Sequence, residues 1–134
     1  MKISNETYRR LLNNSITTKQ NKYRNKKVEY KGIKFDSIKE KDYYLILKHY
    51  ENNGKIKDLK RQVEFILQPS FKVDNKTIRA IKYIADFSYT DTATNEKVVV
   101  DVKSSITAKD KTYIIKKKLF MYKYKDYKFM EVLW

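Results

Sequence analysis

The run VVVDVKSS, residues 98–105, constrains this chain more than any other segment. Val98, Val99, Val100 and Val102 are β-branched and occupy both phases of a strand's alternation, the pattern of a strand buried on both faces. Asp101 and Lys103 interrupt it. With a side-chain period of two they share a face, on the order of 7 Å apart along the strand. An ionised side chain inside a sheet is costly unless it is paired or holds a metal. The chain must therefore fold around a sheet that supplies partners for an acid and a lysine. Taken alone, D-x-K is equally compatible with a salt bridge at a strand end, worth little where water reaches it.

Other acids can converge on it. IRAIKYIADFSY (78–89) reads as a long strand with Ile81, Tyr83, Ala85, Phe87 and Tyr89 on one face and Asp86 on the other. TDTATNE (90–96) is turn material, so KVVVDVKS (97–104) returns as an antiparallel partner and brings Asp86 near Asp101. Asp is poorly suited to a strand interior, which favours a functional reason for Asp86 over a solvent-facing acid. Glu40 is the third acid. In Ser37-Ile38-Lys39-Glu40 it completes a helix capping box, and on a helical projection it also falls within the stripe of Tyr43, Tyr44 and Leu47. Capping and metal support are compatible roles for it.

The remaining elements follow from periodicity and breakers. Ser37–Asn53 is the clearest helix, closed by Asn53-Gly54. VEYKGIKF (28–35) is a small hairpin, and LKRQVEFILQP (59–69) a strand ended by Pro69. A helix is expected from about Ala108 to Lys125, and YKFMEVL (127–133) forms a last strand. Upstream, Ser4–Asn14 suits a short helix with Tyr8, Leu11 and Leu12 on one side, and residues 15–27 form a basic arm. The expected division is an arm over 1–27 and one domain over 28–134, with no internal repeat. The order is helix, three strands, helix, strand: an α/β domain with a mixed central sheet flanked by helices, its last crossover right-handed and parallel. At 134 residues the chain buries roughly two-thirds of its unfolded surface, enough for a core.

Charge narrows the partner. The formal net charge is +15, which favours polyanions through counterion release, and nucleic acid is the commonest of these. The excess is clustered. Residues 19–34 hold seven Lys/Arg against one Glu, and residues 109–128 hold eight Lys against two Asp, a net of +6 in each. Lys22, Arg24, Lys26 and Lys27 in the arm, and Lys116, Lys117 and Lys118 on the second helix, are the candidate phosphate contacts. Lys118 falls mid-stripe among Ile114, Ile115, Leu119, Met121 and Tyr122, where snorkelling from a buried stem competes with a functional role. The basic segments lack the Trp/Phe/Leu face of an interfacial helix, which argues against a membrane surface.

Absences exclude several chemistries. His49 is the single histidine, so no catalytic triad or histidine–metal motif can form, and it reads as a surface residue. Two glycines cannot build a phosphate-binding glycine loop. The lack of cysteine excludes disulfides and thiolate zinc sites and suits a reducing compartment. With no apolar leader and no membrane-length run, a soluble, cytoplasmic protein is expected. Acids and lysines remain. Two or three carboxylates beside a lysine match metal-assisted phosphodiester hydrolysis, with Mg²⁺ accepting two Asp and a main-chain carbonyl and keeping several waters.

These residues resemble the PD-(D/E)XK nuclease superfamily, whose pattern is a helix Glu, an Asp on the second core strand and (D/E)-x-K on the third. Glu40, Asp86 and Asp101-Val102-Lys103 match in order. The segments NKKVEYKGIKFDSIKEKDYY, YIADF, VVVDVKS and YIIKKKLF are similar to a family of small phage-encoded proteins of previously unknown function. The resemblance implies a restriction-endonuclease-like α-β-β-β-α-β core and a Mg²⁺-dependent DNA endonuclease, with Mn²⁺ able to substitute. It implies Asp86, Asp101 and the Val102 carbonyl as metal ligands, Lys103 as the catalytic lysine and Glu40 as an outer or direct ligand. Ala85 stands where the superfamily often has proline, and Ser104 where a glycine commonly follows the lysine. By analogy with junction-resolving relatives, branch selectivity fits a chain with no sequence-reading module, and cutting both strands would suit a homodimer. For a phage-encoded chain the compartment is the host cytoplasm. Two alternatives stay open: a non-catalytic nucleic-acid-binding protein, and a protein-interaction factor using a tyrosine-rich surface.

Overall fold

The computed structural model of the chain describes residues 27–134. The expected Ser4–Asn14 helix and the arm carrying Lys22, Arg24 and Lys26 lie outside those residues.

A tight hairpin comes first, β1 (Val28–Tyr30) and β2 (Ile33–Phe35). Lys31 and Gly32 both take positive φ, 48° and 80°, the two-residue turn whose twist matches antiparallel strands. Helix α1 (Ile38–Asn52) starts at Ser37, whose hydroxyl accepts the Glu40 N–H at 3.1 Å. The reciprocal half of the box is displaced by one residue: a Glu40 carboxylate oxygen accepts from Asp36 N–H at 3.2 Å. Glu40, Tyr43 and Leu47 are buried at helical spacing, as the stripe predicts.

The central sheet has the order β3-β6-β7-β8, formed by β3 (Ile56–Gln68), β6 (Ile81–Asp91), β7 (Lys97–Lys103) and β8 (Tyr127–Leu133). β3 and β7 run antiparallel to β6, and β8 runs parallel to β7. The sheet is therefore mixed, and the helix-linked last strand is parallel as expected. Alternate residues of β7 face opposite layers. Val98, Val100 and Val102 pack with Tyr43, Ile46 and Leu47 of α1. Val99 packs with Phe65, Tyr83 and Phe120, the last from α2 (Lys111–Lys123). The two helices thus cover opposite faces, which is why β7 is apolar in both phases.

Three expectations are corrected. First, the strand drawn over 78–89 is interrupted. Residues 71–78 form their own hairpin, β4 (Phe71–Val73) and β5 (Lys76–Ile78), and β6 begins only at Ile81. Asp74 and Asn75, at φ 49° and 66°, make its turn; Asn and Asp tolerate the left-handed region that such a turn demands. Second, the long helix is shorter. A 3-10 turn at Thr107–Lys109 precedes it, and Asp110 caps α2 by accepting the Tyr113 N–H at 2.9 Å. Third, the stripe assigned to α2 does not face the core: Ile115, Leu119, Met121 and Tyr122 are exposed, as is Lys118. Phe120 is the fully buried residue of α2, with Tyr113 and Tyr124 packed beside it.

Candidate active site

The acids meet where the sheet is broken. β6 pairs with β7 from Thr90↔Lys97 to Phe87↔Val100 and no further. On its other side, β3 pairs Arg61 with Phe87 and Val63 with Ala85 but skips Gln62 and Asp86. Gln62 sits at φ 50°, in the left-handed region, an unusual conformation for a residue within a strand. Around Asp86 the side-chain phase of β6 changes. Tyr83 and Ala85 join the cluster under α2, whereas Phe87 and Tyr89 join the cluster under α1. The single apolar face expected for β6 is therefore two half-faces joined at Asp86.

Carboxylates replace the missing ladder bonds. Asp101 Oδ1 accepts from the Asp86 N–H at 3.1 Å, and Asp86 Oδ2 accepts from the Val102 N–H at 2.8 Å. Each aspartate is thereby tied to the backbone of the other's strand. Tyr83 donates its hydroxyl to Asp101 Oδ2. Asp101 is fully buried at 0 % exposure, and Asp86 is buried beside it.

That placement has an electrostatic cost. Burial raises the Asp86 carboxyl, the neighbouring charges of Asp101 and Glu40 raise it further, and it is pushed up to about 8. Asp101 is also raised, again chiefly by burial, against the opposing pull of Lys103, the Tyr83 hydroxyl and the Asp86 N–H. Two such acids ionise together only when a cation accompanies them. Lys103, half-buried at the end of β7, supplies part of that charge, with its ammonium over the Tyr113 ring 4.9 Å from the centroid. Burial pushes the Tyr113 and Tyr83 hydroxyls well above the ordinary tyrosine range, so both remain protonated donors.

Glu40 faces the pair from α1, close enough for its charge to act on Asp86. Its own oxygens are occupied. One accepts from Asp36 N–H, and the other accepts from the Gln62 side-chain amide at 3.1 Å and lies 3.8 Å from the Arg61 guanidinium. Burial raises Glu40 as well. The structure ties it to Gln62 and Arg61.

The phosphate contacts expected on α2 separate. Lys118 is exposed and Lys116 partly so, whereas Lys117 donates to Glu131 of β8 at 3.1 Å. Lys117 is thus ion-paired to Glu131 within the domain. Lys27 is exposed, and so is His49. Sequence reasoning missed Tyr83, Tyr113, Gln62, Arg61 and Glu131. Tyr83 carried a signal, lying three residues before Asp86 in a segment already read as strand. The Tyr113–Glu131 and Lys117–Glu131 contacts join residues 18 and 14 positions apart, and neither spacing is a local pattern.

Among the described residues no three His, Cys, Asp or Glu side chains form a metal cage. The donors that do converge are two carboxylates beside the Val102 main chain. They suit a hard cation that takes oxygen ligands and keeps water in its other positions.

Fold and site together define a mixed α/β domain with two buried aspartates at a break in its sheet. Over residues 20–133 the chain matches the model of a family described as "Protein of unknown function (DUF1064)", and it belongs to that family. No curated protein and no solved structure matches it. Among the described residues no helix is long and apolar enough to cross a membrane.

Proposed function

We propose that this protein is a metal-dependent DNA endonuclease with a restriction-endonuclease-like core. One observation carries the reading: Asp86 and Asp101, buried on adjacent strands, are both raised by burial and have a lysine beside them. A purely structural pair would cost stability for no return, whereas a cation-binding pair recovers that cost when loaded. Raised carboxyls in such a setting are a recurrent mark of functional sites.

Asp86, Asp101 and the Val102 carbonyl would hold Mg²⁺, or Mn²⁺ in its place. When bound, the ion supplies Lewis-acid neutralisation of the phosphate and an acidified water. The chain's own residues do the rest. Lys103 orients the attacking water or stabilises charge developing on the phosphate, held in place by the face of Tyr113. Tyr83 fixes the orientation of Asp101. Glu40 holds Gln62, and with it the irregular backbone opposite Asp86. The net charge of +15 supplies sequence-independent affinity for the DNA backbone. By analogy with junction-resolving nucleases, branched DNA is the proposed substrate class.

Replacing Asp101 or Lys103 by Ala should abolish Mg²⁺-dependent nicking of supercoiled and four-way-junction DNA, a loss of at least ~10²-fold, while leaving DNA binding in place. Purified protein that binds DNA but never cleaves it with either metal would instead establish a non-catalytic binder. Binding that barely responds to salt would point to a protein partner.

A further inference from the structure

The β4–β5 hairpin belongs to neither the core nor the acid site. Every residue from Phe71 to Arg79 is exposed, yet three of them are large and apolar: Phe71 at 46 %, Val73 at 49 % and Ile78 at 40 %. Pairing puts Phe71 opposite Ile78 and Val73 opposite Lys76, so these four share one face of the ribbon. Lys72 and Thr77 occupy the other face, and Arg79 follows at the root. The Asp74-Asn75 turn is of the tight kind that twists with its strands, so the ribbon is pre-shaped. The Phe71–Ile78 cross-strand pair contributes at most about 1 kcal/mol to the ribbon, and the three apolar side chains remain largely open to solvent.

Its position is informative. The hairpin leaves the end of β3 and re-enters at the start of β6. Because β7 runs antiparallel to β6, Lys103 at the end of β7 lies toward that same end of the sheet. Ile81 lies five positions before Asp86, about 17 Å along a strand, or about five base-pair steps of duplex DNA. The basic helix α2 reaches the same region: Lys123 donates to the Leu67 carbonyl and Tyr124 to the Ile66 carbonyl, beside the hairpin's root.

We propose that the β4–β5 hairpin is a DNA-contacting wing that enters between the backbones, with Phe71, Val73 and Ile78 against unstacked base or sugar surface and with Lys76 on that face, Lys72 on the other and Arg79 at the root on backbone phosphates. The inference rests on DNA being the substrate, and it names the element that extends the grip beyond the scissile phosphate. Charge selects this occupant. Three cations against Asp74 favour a polyanion, and a second copy of this chain would bring the same cations face to face. Apolar side chains presented among cations match the wedges that architectural proteins insert at bent or opened base steps.

The test uses the full chain in EDTA, so that binding is read without cleavage, by anisotropy of labelled four-way-junction and duplex DNA across a salt series. The triple variant Lys72→Ala/Lys76→Ala/Arg79→Ala should bind at least tenfold more weakly at ~0.1 M salt, its log–log salt slope shallower by about two to three units. Phe71→Ser should lower affinity for the junction more than for the duplex. Unchanged circular dichroism will show that the exposed changes leave the fold intact. A triple variant with the parent's affinity and slope overturns the wing while leaving the DNA reading standing. A dimer that Phe71→Ser dissociates, with DNA affinity unaltered, also overturns it in favour of self-association. A parent chain that fails to bind any DNA at low salt removes both readings together.

Discussion

At position 86 a carboxylate lies within the fields of Asp101 and Glu40, with burial adding to both. The sign of its effect on stability follows from linkage. An Asp raised from 3.8 to about 8 binds its proton more tightly in the folded than in the unfolded chain. Its contribution is fully present below pH 4 and is lost as pH rises through 8. Asp86→Asn removes that penalty while keeping an acceptor for the Val102 N–H. In metal-free buffer the variant should gain roughly 2 kcal/mol or more over the parent at pH 8.5, and the gain should vanish towards pH 4. Mg²⁺ should raise the melting temperature of the parent and leave that of the variant unmoved. Melting curves of parent and variant that shift in parallel across this range would contradict the assignment. Asp86 was legible as an anomaly because Asp is rare inside strands. Its approach to Asp101 followed from the hairpin, whereas the irregular backbone at Gln62 opposite it did not, because no local pattern encodes a left-handed residue within a strand.

Elements were legible in proportion to how much of their sequence the core dictates. β7 and α1 were, since burial on both faces enforces valines in one and a cap with an apolar stripe marks the other. α2 was misread at its surface. Its exposed Ile115, Leu119 and Met121 imitate a core stripe, while the face that docks uses Tyr113, Lys117 and Phe120. Of the β4–β5 hairpin only Ile78 falls within an expected strand, as the first residue of 78–89, because no Gly or Pro marks the break at Arg79-Ala80; residues 70–77 carry no pattern strong enough to be assigned. The three adjacent lysines of α2 therefore divide by task. Lys116→Ala and Lys118→Ala should each weaken DNA binding a few-fold and make its salt dependence shallower by about one unit. Lys117→Ala leaves Glu131 without its cation and should lower thermal stability by about 1 kcal/mol while changing the salt slope little. A binding and melting comparison of the three single variants checks this division; Lys117→Ala behaving like its neighbours would contradict it.

For the molecule as a whole, two charge systems of opposite sign share a small domain. The sequence carries a large cationic excess, and at the break in the sheet the interior holds three acids raised by burial, Asp86 further by the charges of Asp101 and Glu40. A polyanion with its accompanying divalent cation satisfies both at once. The surface meets phosphates, and the acids meet the metal that the phosphates attract. Crystals of the full chain grown with Mn²⁺ and a cleavage-resistant phosphorothioate junction test this most directly through anomalous scattering. The account predicts a manganese peak ligated by Asp86 and Asp101 together with a phosphate oxygen. Its absence from that pair, with DNA bound and manganese seated elsewhere or nowhere, would contradict it.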